Sequence, residues 1–146
     1  MTKQSGFSLV ELSIYLVIVG ILAVVAVPFY RGWVTRTQIG KAESELLLFK
    51  TSIVRYNFDI GKYPGKLEDL VTKPTYDAEA AKSWHTALVD PTTVKLSSDG
   101  KLLDPWGEPY QYRVTKGGKH PYELYSNGDP EASEPYKIDV WNIKSK

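Results

Sequence analysis

The sequence predicts an α+β fold: one long N-terminal α-helix packed on a small three-stranded antiparallel sheet. Three observations carry this. Phe7 to Val27 is an apolar run long enough to be a helix in its own right. From Ile39 to Ile60 apolar residues recur at spacings of three and four, the period of one helix face. Towards the C-terminus, short segments rich in Tyr, Val and Ile lie between turn residues, as strands do.

Composition sets the outer limits. The chain has 146 residues and a formal net charge of +1, which suits one domain of modest core and gives no general case for nucleic-acid binding. It contains no cysteine, so disulfide frameworks, thiolate metal sites and cysteine nucleophiles are excluded.

The first element is the apolar run. About 21 helical residues span roughly 30 Å, one hydrocarbon thickness. A buried core helix is a poor reading, since nothing else in the chain is apolar enough to surround a helix greasy on every side. A secretory signal peptide is also poor: the run is too long, and "PFYRGWVTR" follows it instead of a small-residue cleavage site. A plain membrane anchor fits the length but leaves Glu11 unexplained. A carboxylate near the centre of a membrane helix costs about 2.5–3.5 kcal/mol and marks function by default; Glu11 lies shallow, where the cost is lower but not nil.

These residues resemble a known family. "GFSLVE" is similar to the class III signal of type IV pilins and type II secretion pseudopilins. The resemblance implies a leader at residues 1–6 with Lys3 as its one basic residue, and cleavage between Gly6 and Phe7 by a prepilin peptidase that also N-methylates the new terminus. Glu11 and Pro28 then fall at the offsets where the family has its glutamate and commonly a proline. The implied division is leader 1–6, transmembrane and assembly helix 7–27, and periplasmic domain 28–146. The chemistry agrees. Cleavage would leave an α-ammonium at Phe7, and in an apolar environment an ammonium and a carboxylate offset each other's burial cost when paired. The resemblance implies that Glu11 meets the Phe7 amine of a neighbouring subunit and marks register during assembly. The bland alternative is a shallow acid reaching the membrane surface.

The helix continues past Pro28 as an amphipathic one. Ile39, Ala42, Leu46, Phe49, Ile53, Tyr56 and Ile60 form its apolar stripe. Lys41, Glu43, Glu45 and Lys50 read as solvated-face charges without a specific role. Gly61, before Lys-Tyr-Pro, ends the helix at about residue 60. Proline inside a helix removes a hydrogen bond, and the stretch from Gly20 to Pro28 is rich in β-branched valine. Two readings stand for it: a kink at the membrane surface, or a stretch that loses helicity in an assembled filament.

In the remainder, Lys66 to Val71 reads as a short helix directing Leu67, Leu70 and Val71 to the core. "YDAEAAKSWH" is one helical turn or two, and "VDPTTVKLSSDGK" reads as loop. "DPWG" is turn chemistry; Tyr110 to Val114, "YELYS" and "KIDVWNI" are the three strands, with "KGGKHP" as a hairpin loop. "DPWGEPYQY" and the segment "KYPGKLEDLVTKP" are similar to signatures of the major pseudopilin of type II secretion, whose fold is type IV pilin-like.

That family binds calcium in the loop after the "YS.G" strand. Here the resemblance points to Asp129, Glu131, Ser133, Glu134 and Asp139, with carbonyls near Leu124 and Ser126. Two readings remain, a calcium site and an acidic solvated loop fixed by Pro130 and Pro135. The second is favoured, because the family's run of aspartates is missing and Pro135, Tyr136 and Lys137 stand in its place. No other cofactor is expected. His85 and His120 read as isolated surface histidines, and no nucleophile elbow or phosphate loop occurs, so no enzyme is expected. Of the tryptophans, Trp84, Trp106 and Trp141 suit a core and Trp33, with Tyr30, an aromatic membrane belt; carbohydrate binding is the weaker reading.

The resemblance therefore implies a structural subunit: a single-pass inner-membrane protein with its domain in the periplasm, polymerising with itself into a pseudopilus. Its partners would be the peptidase/N-methyltransferase, minor pseudopilins, an inner-membrane assembly platform and the inner membrane, with no nucleic acid. The alternatives are a type IV pilin subunit for adhesion or motility, and a membrane-tethered periplasmic binding domain.

Overall fold

The computed structural model describes residues 7–115, 117–134 and 136–143. The chain divides into two compact units, Met1–Thr37 and Gln38–Lys146. Helix α1, Leu9–Ile60, contributes to both, and its backbone is helical without interruption through Gly20 and Pro28.

In the first unit, every residue from Phe7 to Val27 is exposed. The helix is long and apolar enough to cross a membrane, and none of its most apolar stretch is covered by the chain.

In the second unit, the same helix has a buried stripe. Ala42, Leu46, Phe49, Ile53 and Tyr56 are buried, with Ile39 and Ile60 at its margins. α1 stops at Gly61, whose φ of 83° is the left-handed conformation that ends helices. A 3-10 turn, Leu67–Leu70, follows and buries both leucines, with Val71 beside them. The short helix α2, Ala78–Ser83, starts on Asp77, whose side chain accepts the Glu79 and Ala80 N–H groups. The main sheet is antiparallel in the order β3 (Gln111–Val114), β4 (Tyr122–Ser126), β5 (Ile138–Asp139). β4 alternates, burying Tyr122, Leu124 and Ser126, and Tyr122 and Leu124 join the α1 stripe in one core. The α+β class and the three-stranded antiparallel sheet are thus as expected, though of the "KIDVWNI" strand only Ile138–Asp139 pairs, the chain turning directly after it with the Asn142 N–H on the Asp139 carbonyl.

Three expectations change, the first at Lys50, which is not a plain solvated charge but is half-buried with Nζ 4.4 Å from the centroid of the Trp141 ring. The stretch read as loop contains a second ladder: β1 (Lys95–Leu96) pairs antiparallel with β2 (Leu102–Leu103) around a turn at Ser97–Lys101. Strands of two residues are too short to show alternation. Glu45 is not on the solvated face. It is 7 % exposed and accepts the Tyr110 hydroxyl at 2.6 Å, with Lys41 at 3.6 Å. Its polar partner comes from a strand segment far along the chain, which no local pattern announces.

Candidate functional site: the N-terminal assembly segment and the loop after β4

The N-terminal segment places its few polar groups carefully. The Ser8 N–H donates to Glu11 Oε2 at 3.0 Å, and Ser8 Oγ accepts the Val10 N–H at 3.3 Å. This is a variant of the capping box, with the Ser8 hydroxyl on the second rather than the third helical N–H, and it satisfies two otherwise orphaned donors at the start of the helix. The Ser-x-x-Glu spacing carries that signal in the sequence, and it gives Glu11 a role within its own chain that reading for assembly alone misses. The carboxylate also complements the positive end of the α1 dipole. Ser13 returns its hydroxyl to the Leu9 and Val10 carbonyls at 3.0 and 2.8 Å. Among the described residues one neutral N–H meets the Glu11 carboxylate, which has further lone pairs for a cation. Phe7 is exposed, as is Glu11, and Gly6 lies outside the described residues. Pro28 lies within α1, and Tyr30 and Trp33, beyond the apolar run, are also exposed.

In the second unit the "DPWGEPYQY" segment explains itself. Asp104 is completely buried, yet both its oxygens are partnered: Oδ1 accepts the Trp106 and Glu108 N–H groups at 3.0 Å each, and Oδ2 accepts the Ser126 hydroxyl at 2.6 Å. Gly107, at φ 94°, closes the turn by donating its N–H to the Asp104 carbonyl. Tyr110 reaches Glu45 on α1, and the Tyr112 hydroxyl donates to the Pro64 carbonyl at 2.9 Å. One short segment thereby ties the helix, the turn after it and the end of β4 together. Burial raises the hydroxyl pKa of Tyr110 and of Tyr112, and the Glu45 carboxylate adds to the first. Burial also pushes Tyr122 up to about 12.

In the loop after β4 several of the oxygens named for calcium have partners within the chain. The Leu124 carbonyl accepts the Val140 N–H at 3.1 Å. The Ser126 hydroxyl is given to Asp104 and accepts the Gly128 N–H at 3.0 Å. Asp129 Oδ1 accepts the Glu131 N–H at 2.9 Å, so it caps its own turn. Asp139 holds the Trp141 N–H through one oxygen and Lys137 through the other. Glu131, Ser133 and Glu134 are exposed. Among the described residues no three acidic, histidine or cysteine side chains converge as metal ligands. Calcium takes six to eight oxygens, and the described side chains named for it are engaged within the loop or exposed without converging.

The remaining candidates are structural in their surroundings. Trp84, Trp106 and Trp141 pack against the core. His120 stacks on Trp141 with ring centroids 4.1 Å apart, and His85 borders an open cleft with Arg55 and Trp84.

Comparison with known proteins adds the family. The description "Type II secretion system (T2SS), protein G" matches residues 31–142, and "Prokaryotic N-terminal methylation motif" matches residues 1–27. The chain is 36% identical to the type II secretion system core protein G of Pseudomonas aeruginosa over 86% of this chain and 84% of that one. It is 33% identical to the core protein G of Aeromonas hydrophila over 97% and 95% respectively. The crystal structure of the major pseudopilin from the type 2 secretion system of enterohaemorrhagic Escherichia coli superposes with a TM-score of 0.46, at 25% identity, covering 77% of this chain and 94% of that one. With a family match over well more than half its length, the chain belongs to the type II secretion system protein G family.

Proposed function

We propose that this chain, a structural subunit of the type II secretion pseudopilus, works by exchanging a membrane environment for neighbours of its own kind. A prepilin peptidase/N-methyltransferase cuts between Gly6 and Phe7 and methylates the new amine. Residues 7–27 then hold the subunit in the inner membrane with its domain in the periplasm, until an assembly platform and minor pseudopilins draw it into a helical homopolymer that supports export of folded proteins. No catalytic step is assigned to the chain.

One observation carries this reading: from Phe7 to Val27 every side chain is exposed, with one carboxylate near the start. A surface of that kind requires lipid or other apolar helices. Among the described residues Glu11 accepts one neutral N–H, and the ammonium at a neighbour's Phe7 is the partner that suits its charge. Apolar exposure also continues into the second unit, where Val54 is exposed and Phe58 is 89% exposed on the side of α1 away from its buried stripe. An outward apolar face on a helix whose other face is already covered suits lateral packing in a polymer.

The test is electron microscopy of sheared surface material with N-terminal sequencing. Fibres whose subunits begin with N-methylphenylalanine at Phe7 are expected when a secretion assembly platform is present. Fibres formed only with a motility pilus platform support the type IV pilin alternative. A protein beginning at Met1, with no fibres, contradicts the reading.

A further inference from the structure

We propose that the end of this domain is closed by cations that belong to the chain, the Lys137 and Lys50 ammonium groups, and that its fold is therefore independent of calcium. Tyr125 and Asp139 are direct partners across the β4–β5 ladder. Lys137 Nζ lies 3.5 Å from the centroid of the Tyr125 ring and 3.4 Å from Asp139 Oδ2. The ammonium is thus clamped by two groups that the sheet register itself holds side by side. An aromatic face and a carboxylate are both partners for a positive charge.

The second cation comes from α1. Lys50 Nζ sits 4.4 Å from the centroid of the Trp141 indole, whose Nε1–H donates to the Tyr122 carbonyl at 3.0 Å. His120 stacks on the same indole. The segment following β5 is thereby fixed to α1 and to β4 by contacts of the chain itself.

The loop between these points is tied internally. Its start is held by the Asp104–Ser126–Gly128 hydrogen bonds. Its return is held by Tyr136, which lies so close to Gly128 that a Cβ there would fall 2.6 Å from the ring. Gly128 has φ 74°, so a glycine is required on conformational grounds as well. A divalent cation brought to Asp139 would meet Lys137 on the same carboxylate and be repelled by it.

The experiment is thermal unfolding of the full chain in detergent micelles, with millimolar calcium chloride or with EGTA, alongside isothermal titration with calcium chloride. The midpoint is expected to be the same in both buffers, and the titration to be flat. Lys137→Met is expected to lower the midpoint by about 4 °C equally in both buffers. Lys137→Asp, which removes the built-in cation and adds a carboxylate, is expected to make the midpoint rise with calcium. A wild-type midpoint that falls in EGTA, or a saturable calcium heat, overturns the proposal. A Lys137→Met midpoint equal to wild type removes Lys137 from it. If neither variant folds, the wild-type melts and titration decide the matter alone.

Discussion

The two halves of α1 share one backbone and differ in what covers them. From Leu9 to Val27 the helix is apolar around its circumference, Glu11 and Ser13 apart, and every one of these residues is exposed. From Gln38 to Ile60 it is amphipathic, and its stripe is buried by the sheet of its own chain. The polar groups follow the same division. Glu45 has a dedicated hydroxyl partner from a distant segment, whereas Glu11 is held, among the described residues, by the backbone of its own first turn. One half is completed within the subunit; the other is left for lipid and then for other subunits.

The largest expected effect contrasts the halves directly. Phe49→Ala empties a fully buried site that packs edge-on against Tyr110, and should cost the domain about 4 kcal/mol. Leu16→Ala, on the exposed half, should leave the unfolding midpoint of the domain unchanged and reduce fibre yield. Denaturant melts of both variants, with fibre counts, check the pair. An equal loss of stability in the two would break the division.

Asp104→Ala comes next. It strands the buried Ser126 hydroxyl and two backbone N–H groups, and about 3 kcal/mol of stability should be lost. Chemical denaturation measures this, and fast exchange of the Trp106 and Glu108 amides should accompany it. A smaller effect, about 1 kcal/mol, is expected for Asp77→Ala, which removes the cap of α2. It should fray that helix without changing assembly, as helical content and fibre yield would report.

The pH response should also come from the covered half alone. Burial raises the hydroxyls of Tyr110, Tyr112 and Tyr122, the last to about 12. The native state therefore keeps protons that the unfolded chain loses above its ordinary tyrosine pKa of about 10. Stability from these groups is complete below pH about 10 and falls as pH rises through the native values. Melts between pH 9 and about 12 should show a decline, smaller in a Tyr122→Phe variant.

How much of this was legible in the sequence follows from range. The stripe from Ile39 to Ile60 is periodic and local, so its burial could be read directly, as could the end of α1 at Gly61. The membrane-like run with Glu11 was legible for the same reason. Glu45 was misassigned because its partner Tyr110 lies on a different element and no helical period encodes it. The tie from Asp104 to Ser126 was hidden likewise: the turn was recognisable from Asp-Pro-Trp-Gly, the hydroxyl it captures was not. β1 and β2 escaped because two residues show no alternation. The Ser8–Glu11 capping box was written in the spacing and was masked by the more conspicuous assembly role of the same glutamate.

The central claim is that the charge on Glu11 is there for another subunit. Glu11→Gln is the sharpest probe, because a Gln side-chain oxygen can still accept the Ser8 N–H and preserve the cap while the charge is gone. Fibres are to be counted by electron microscopy for wild type, Glu11→Gln and Glu11→Ala, with the domain's unfolding midpoint measured in parallel. The account predicts unchanged midpoints and an equal loss of fibres in both variants. Fibres at the wild-type level in Glu11→Gln would show that the carboxylate serves its own helix alone, and would contradict it.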